Sequence, residues 1–109
     1  MEKYDVIIAG GGVSGIAAAY TAAKNGLKTL IIEKESFLGG SITSSLVIPA
    51  MKTCELSKSL FLDDLLVKLK KYNAQITFPM NNNDFWMEPE LCKIVFEEML
   101  NDVNCTIFY

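Results

Sequence analysis

Apolar and polar residues fall into blocks along this chain rather than alternating singly. Val6-Ile-Ile-Ala9, just after Asp5, is a continuous apolar run closed by glycine, the pattern of a strand buried on both faces. Gly10-Gly-Gly-Val-Ser-Gly15 comes next, and Ile16-Ala-Ala-Ala-Tyr-Thr-Ala-Ala23 reads as a helix stopped by Asn25-Gly26. Leu27-Lys-Thr-Leu-Ile-Ile32 is a second strand, closed by Glu33. From about Glu55 to Tyr72, Leu56, Leu60, Phe61, Leu65, Leu66 and Leu69 recur at helical spacing, with Lys68, Lys70 and Lys71 late, where cations suit the helix dipole. Ala74-Gln-Ile-Thr-Phe78 reads as a short strand ended by Pro79, and Asn81-Asn-Asn-Asp84 as a turn or loop. Pro89 fits the first turn of a last helix, whose Leu91, Cys92, Val95, Phe96, Met99 and Leu100 form a wide apolar face. Asn104-Cys-Thr-Ile-Phe-Tyr109 is a third strand.

The residues between the first two strands change this picture most. Strand, glycine turn, helix, strand and terminal acid, in that order, make the β-α-β unit that binds dinucleotides. Gly10 allows the tight turn out of the strand, Gly12 lets the backbone approach a pyrophosphate, and Gly15 lets the helix pack closely on the strand. Val13 and Ser14 share the helix start with Gly15, where free N–H groups face a phosphate. Glu33, with Lys34 beside it, stands about twenty residues downstream, placed to accept hydrogen bonds from a ribose diol. The competing readings are a phosphate-free turn and a solvated strand-end carboxylate. The fold class is therefore α/β, a Rossmann-like FAD/NAD(P)-binding fold. Its sheet is incomplete, with three parallel strands near residues 4–9, 28–33 and 104–108 in spatial order third, second, first. Residues 1–109 form the N-terminal part of one such domain, and 35–88 are a helical insertion after the second strand, held to the sheet by Phe85 and Trp86 or using them to stack on a flavin.

The glycines do not separate NAD from FAD. The residues downstream of them are more specific: Glu33-Lys34, then Phe37-Leu38-Gly39-Gly40-Ser41-Ile42-Thr43, then Leu46-Val-Ile-Pro49-Ala-Met51, and later Pro89-Glu90-Leu91. These segments resemble the start of the FAD-dependent oxidoreductase family, in the branch related to the flavin subunit of heterodisulfide reductase. The resemblance implies FAD as cofactor, with this chain supplying the adenine, ribose and pyrophosphate side of its site. Gly39 and Gly40 leave backbone amides unobstructed, and Ser41, Thr43, Ser44 and Ser45 carry hydroxyls, which suits a loop passing a pyrophosphate or ribityl chain; a plain glycine-serine loop is the alternative. Members of that family are several times longer than 109 residues, so the chain reads as the N-terminal piece of a flavoenzyme, inactive alone. An NAD(P)-binding domain and a non-catalytic remnant are the other readings.

Composition narrows the partners. Half the residues are hydrophobic and the net charge is −3, and all basic residues are Lys. No basic patch interleaved with aromatics favours nucleic acid, and the first apolar run ends too early for a signal peptide or membrane span. The expectation is a cytoplasmic protein with a small-molecule substrate, of unknown identity, that contacts neither nucleic acid nor membrane. Cys54, Cys92 and Cys105 lack metal-ligand spacing, and no metal is expected; Cys92, on a helix face, and Cys105, in a strand, read as buried small hydrophobes. There is no His, and Asp63-Asp64 and Glu97-Glu98 read as solvated helix faces, so no catalytic residue is assigned. An incomplete sheet leaves the Val6-Ile7-Ile8 strand as an edge, which predicts self-association.

Overall fold

The computed structural model describes residues 2–45, 49–51, 60–76 and 84–109. Three parallel strands, β1 (Val6–Ala9), β2 (Thr29–Ile32) and β6 (Thr106–Phe108), form one sheet in the order β1-β2-β6. Val6 pairs with Thr29 and Leu30 with Thr106, so the C-terminal ends of the strands line up along one rim. That is the order expected from the sequence, and it places the two glycine segments and Glu33 at that rim.

Helix α1 (Val13–Lys24) buries Ile16, Ala19, Tyr20 and Ala23, positions one turn apart on a single stripe. Two of these are alanines, which lets the helix lie close to β1 and β2. Helix α3 (Pro89–Asp102) buries Cys92, Val95, Phe96, Met99 and Leu100 and packs beside α1 on the same face of the sheet, then leads into β6. Its start is fixed by Pro89 and by the Glu88 carboxylate, which accepts the Leu91 N–H at 2.6 Å.

The segment between β2 and α3 holds more than the expected helix and single short strand over 74–78. It contains α2 (Leu60–Lys71) and a second, antiparallel sheet of β3 (Pro49–Met51), β4 (Gln75–Ile76) and β5 (Asp84–Met87), in the order β3-β5-β4. Asp84, assigned to a turn by its asparagine neighbours, instead opens the central strand β5. β4 lies within the strand expected over 74–78, whereas β3 and β5 carry too little periodicity to be recognised, and antiparallel pairing supplies what local preference does not. The proposed helix start near Glu55, Cys54, the Pro79 stop and the Asn81–Asn83 turn lie outside the described residues, as do the side chains of Phe85 and Trp86.

Helix α2 turns Phe61, Leu65 and Leu69 inward, and Phe61 meets Tyr20 edge-to-face at 5.8 Å between ring centres. Cys105 sits one residue ahead of β6 rather than within it, and is buried, as is Cys92.

Candidate functional site

The rim at the C-terminal ends of β1 and β2 is assembled from backbone more than from side chains. Gly10 leaves β1 at φ +106°, a conformation that a Cβ disfavours, and its N–H remains tied to the Ile32 carbonyl at 2.8 Å. The chain then enters α1 through Gly12, which caps the helix with no side-chain hydrogen bond. No acidic residue stands in the first turn of α1. Intrahelical bonding begins with Ile16 N–H donating to Gly12 O at 2.9 Å, so the N–H groups of Val13, Ser14 and Gly15 point out of the helix end without intrahelical acceptors. By contrast, α3 has its first turn capped by Glu88. Of these two helix starts, the uncapped one lies beside the glycine turn, and a partial positive charge gathers there.

The glycines of this turn are glycines for different reasons. A Cβ on Gly15 would lie 1.9 Å from the Gly10 carbonyl oxygen, so close packing of helix on turn requires its absence. Gly12 is different: its φ of −73° is open to any residue, and a Cβ there would meet nothing within 4 Å. Protein packing alone therefore places no demand for glycine at position 12. A ligand in the open space in front of the helix end would supply one. This is the observation on which the fit of a dinucleotide rests.

Glu33 turns toward the glycine turn. Its Oε2 accepts the Gly11 N–H at 2.6 Å, its Oε1 accepts the Glu35 N–H at 3.1 Å, and the residue is 8% exposed. Each carboxylate oxygen keeps a lone pair beyond these bonds, so a diol could still donate to it. The second glycine segment comes to the same place. Gly39 N–H donates to Gly11 O at 2.8 Å, and a Cβ on Gly40 would lie 2.9 Å from Gly12 Cα. The two motifs, separated by more than twenty residues, are in backbone contact.

The remaining sequence candidates divide. Val13, Ser14, Lys34 and Ser41 are exposed at or near the rim. Thr43 is buried, and its hydroxyl donates to Leu38 O at 2.7 Å, so it braces the Gly39-Gly40 turn from inside. Ser44 likewise bonds Gly40 O at 2.7 Å. Sequence reasoning passed over Gly11 and Leu38. Gly11 carries the hydrogen bonds to Glu33 and Gly39, and Leu38, fully buried, packs against it. The signal was there in the tripled glycine, since the dinucleotide spacing asks nothing of the middle position.

The adjacent acidic pairs are not simple solvated faces. Asp64 forms an ion pair with Lys24 at 2.7 Å and accepts the Tyr20 hydroxyl, tying α2 to α1. Glu98 receives Lys68 at 3.1 Å, Lys71 at 3.0 Å and the Tyr72 hydroxyl, tying α3 to α2. The Tyr72 and lysine hydrogen bonds hold the Glu98 carboxyl down at about 2. These contacts are structural and lie away from the rim. Among the described residues, no group of His, Cys, Asp and Glu side chains could hold a metal ion, and no helix is long and apolar enough to cross a membrane.

A parallel sheet with a glycine turn, an uncapped helix end and a strand-end carboxylate at one rim defines a dinucleotide-binding unit. Residues 5–109 match the model of the FAD dependent oxidoreductase family, and the chain belongs to that family, whose cofactor is FAD. It is similar to the digeranylgeranylglycerophospholipid reductase of Methanococcus vannielii, 38% identical over 58 residues that make up 53% of this chain and 15% of the relative. It is also similar to the thiamine thiazole synthase of Metallosphaera sedula, 35% identical over 81 residues, or 74% of this chain and 30% of that protein. The crystal structure of THI4 from Thermovibrio ammonificans shares the fold with a TM-score of 0.67 and 20% identity, over 97% of this chain and 37% of that one. The chain thus spans less than a third of the length of these two curated relatives.

Proposed function

We propose that this chain holds the ADP and pyrophosphate part of FAD in a flavin-dependent oxidoreductase. The open space in front of Gly12, beside an uncapped helix end, carries the reading. In this arrangement the N–H groups of Val13, Ser14 and Gly15 take the pyrophosphate, Glu33 takes the ribose diol, and the exposed Lys34 and Ser41 sit at the margin. Gly39 and Gly40 bring a second backbone segment against the first glycine turn, with Thr43 as its internal brace. Bound flavin supplies the electron chemistry, and this chain's residues bind and orient its nucleotide half.

The narrower likeness to the heterodisulfide reductase flavin subunit rests on Phe37-Leu38-Gly39-Gly40 and Pro89-Glu90-Leu91. No residue of the chain is assigned to substrate or electron acceptor, and the chain by itself is expected to show no turnover.

Flavin content is the test. In the full-length flavoprotein, Gly12→Val places a branched side chain in the space assigned to the pyrophosphate, with its Cβ meeting nothing within 4 Å, so much of the fold should persist and flavin retention should be lost. Glu33→Ala should weaken FAD binding by about 1–3 kcal/mol, the scale of hydrogen bonds to a charged group. Equal flavin retention by wild type and Gly12→Val would remove the phosphate site from this turn.

A further inference from the structure

Three stretches of chain meet at Gly11. Its N–H donates to Glu33 Oε2 at 2.6 Å and its carbonyl accepts the Gly39 N–H at 2.8 Å, so the two peptide groups flanking its Cα are both held from outside the turn. A Cβ on Gly11 would lie 2.7 Å from Glu33 Oε2, 3.3 Å from Glu33 Cβ and 2.5 Å from Leu38 Cδ2. Neither neighbour has room to retreat, because Leu38 is fully buried and Glu33 is 8% exposed. On the other side Gly40 abuts Gly12, the residue that faces the open space. A hydrogen-bonded series thus runs from the Glu33 carboxylate through Gly11 to Gly39, and by contact from Gly40 back to Gly12.

Resting on the proposed nucleotide site, we infer that Gly11 is a positioning residue that couples the Glu33 carboxylate to the second glycine segment. Glu33 then serves the pyrophosphate as well as the ribose. It fixes the Gly11 peptide, the fixed peptide holds Gly39, and Gly39 sets Gly40 against the helix end that takes the phosphates. Glycine at 11 answers to the protein's own packing, whereas glycine at 12 answers to the ligand. Hydrogen bonds arranged in series reinforce one another, so loss of the first acceptor loosens the last donor.

Inorganic pyrophosphate carries no ribose and isolates the coupling. The measurement is its affinity for the full chain, beside that of ADP, in Glu33→Ala, Glu33→Gln and Gly11→Ala, together with amide hydrogen exchange at Gly39 without ligand. The two Glu33 variants lose the same charge, but Gln keeps an acceptor oxygen for the Gly11 N–H. Glu33→Ala should therefore bind pyrophosphate about tenfold more weakly than Glu33→Gln, the scale of one hydrogen bond. Gly11→Ala should behave as Glu33→Ala does, and the Gly39 amide should exchange faster in both. Equal pyrophosphate affinity in the two Glu33 variants, or a Gly39 amide as protected in Glu33→Ala as in wild type, overturns the coupling. A wild type that binds neither pyrophosphate nor ADP removes the nucleotide site instead, and the Gly39 exchange rates then decide the coupling alone.

Discussion

At the scale of single residues, burial separates the groups that can react from those that cannot. Cys92 is fully buried on α3, and desolvation, with Glu88 nearby, pushes its thiol up to about 12. Thiolate is the reactive form, so at neutral pH Cys92 should resist alkylation in the folded protein and react only after denaturation. Rapid native labelling at Cys92, located by mass spectrometry, would contradict its placement. The sequence already marked Cys92 as interior, because its place in the apolar stripe of a helix was readable from spacing. It equally marked Gly10, Gly12, Gly15 and Glu33, whose meeting at one rim follows from the order of local elements. For Gly11 the local signal was only the third glycine of the run, and for Leu38 there was none, because their importance lies in a contact between segments. Thr43 was read as a free hydroxyl for the same reason: its partner, the Leu38 carbonyl, becomes visible only in the turn itself.

At the scale of elements, both α2 and α3 end on an asparagine in the left-handed region, Asn73 at φ +55° and Asn104 at φ +60°. The next residues close the helix ends, Ala74 N–H to Leu69 O at 2.8 Å and Cys105 N–H to Leu100 O at 3.0 Å. Asparagine tolerates this conformation better than other non-glycine residues. Asn104→Gly should therefore be neutral or stabilising, and Asn104→Val should cost about 1–2 kcal/mol, as read by thermal or denaturant unfolding. Equal stability of the two variants would show that φ at this position carries no strain.

The ties between helices were less legible. Asp64 and Glu98 sit in adjacent acidic pairs, which in sequence look like solvent-facing charge, and Lys24 lies forty residues from Asp64. Only packing brings them together. Glu98 gives the ties a pH signature. Its carboxyl falls from the usual 4.5 to about 2, so its stabilising contribution is fully present above the unfolded value and disappears as pH falls through the folded one. Stability should decline between about pH 4.5 and 2, and Glu98→Gln should flatten that decline. An unchanged acid limb in Glu98→Gln would assign the loss to other carboxylates.

At the scale of the molecule, the described residues cover the parallel sheet on one face only. The face toward α1 and α3 holds Ile31 and Thr29, both buried, whereas the opposite face carries Ile7 at 60%, Ile32 at 40% and Phe108 at 63% exposure. Parallel sheets are normally covered on both faces, and among the described residues β1 also lacks a partner along its outer edge. Strand order was legible in the sequence because the apolar runs named the strands and the crossover rule fixed their order. The uncovered face was not, since a continuous apolar run reads as buried on both sides whether or not anything lies against it. Contiguous exposed apolar surface of this kind invites association. The isolated 109-residue chain is therefore expected to self-associate and to bind FAD weakly. Ile7→Thr with Phe108→Thr should shift it toward the monomer in size-exclusion chromatography, because both positions lie on the open face and neither supports the core. If instead wild type elutes as a stable monomer and titrates with tight, stoichiometric flavin, the open face is tolerated in solution and the unit is self-sufficient.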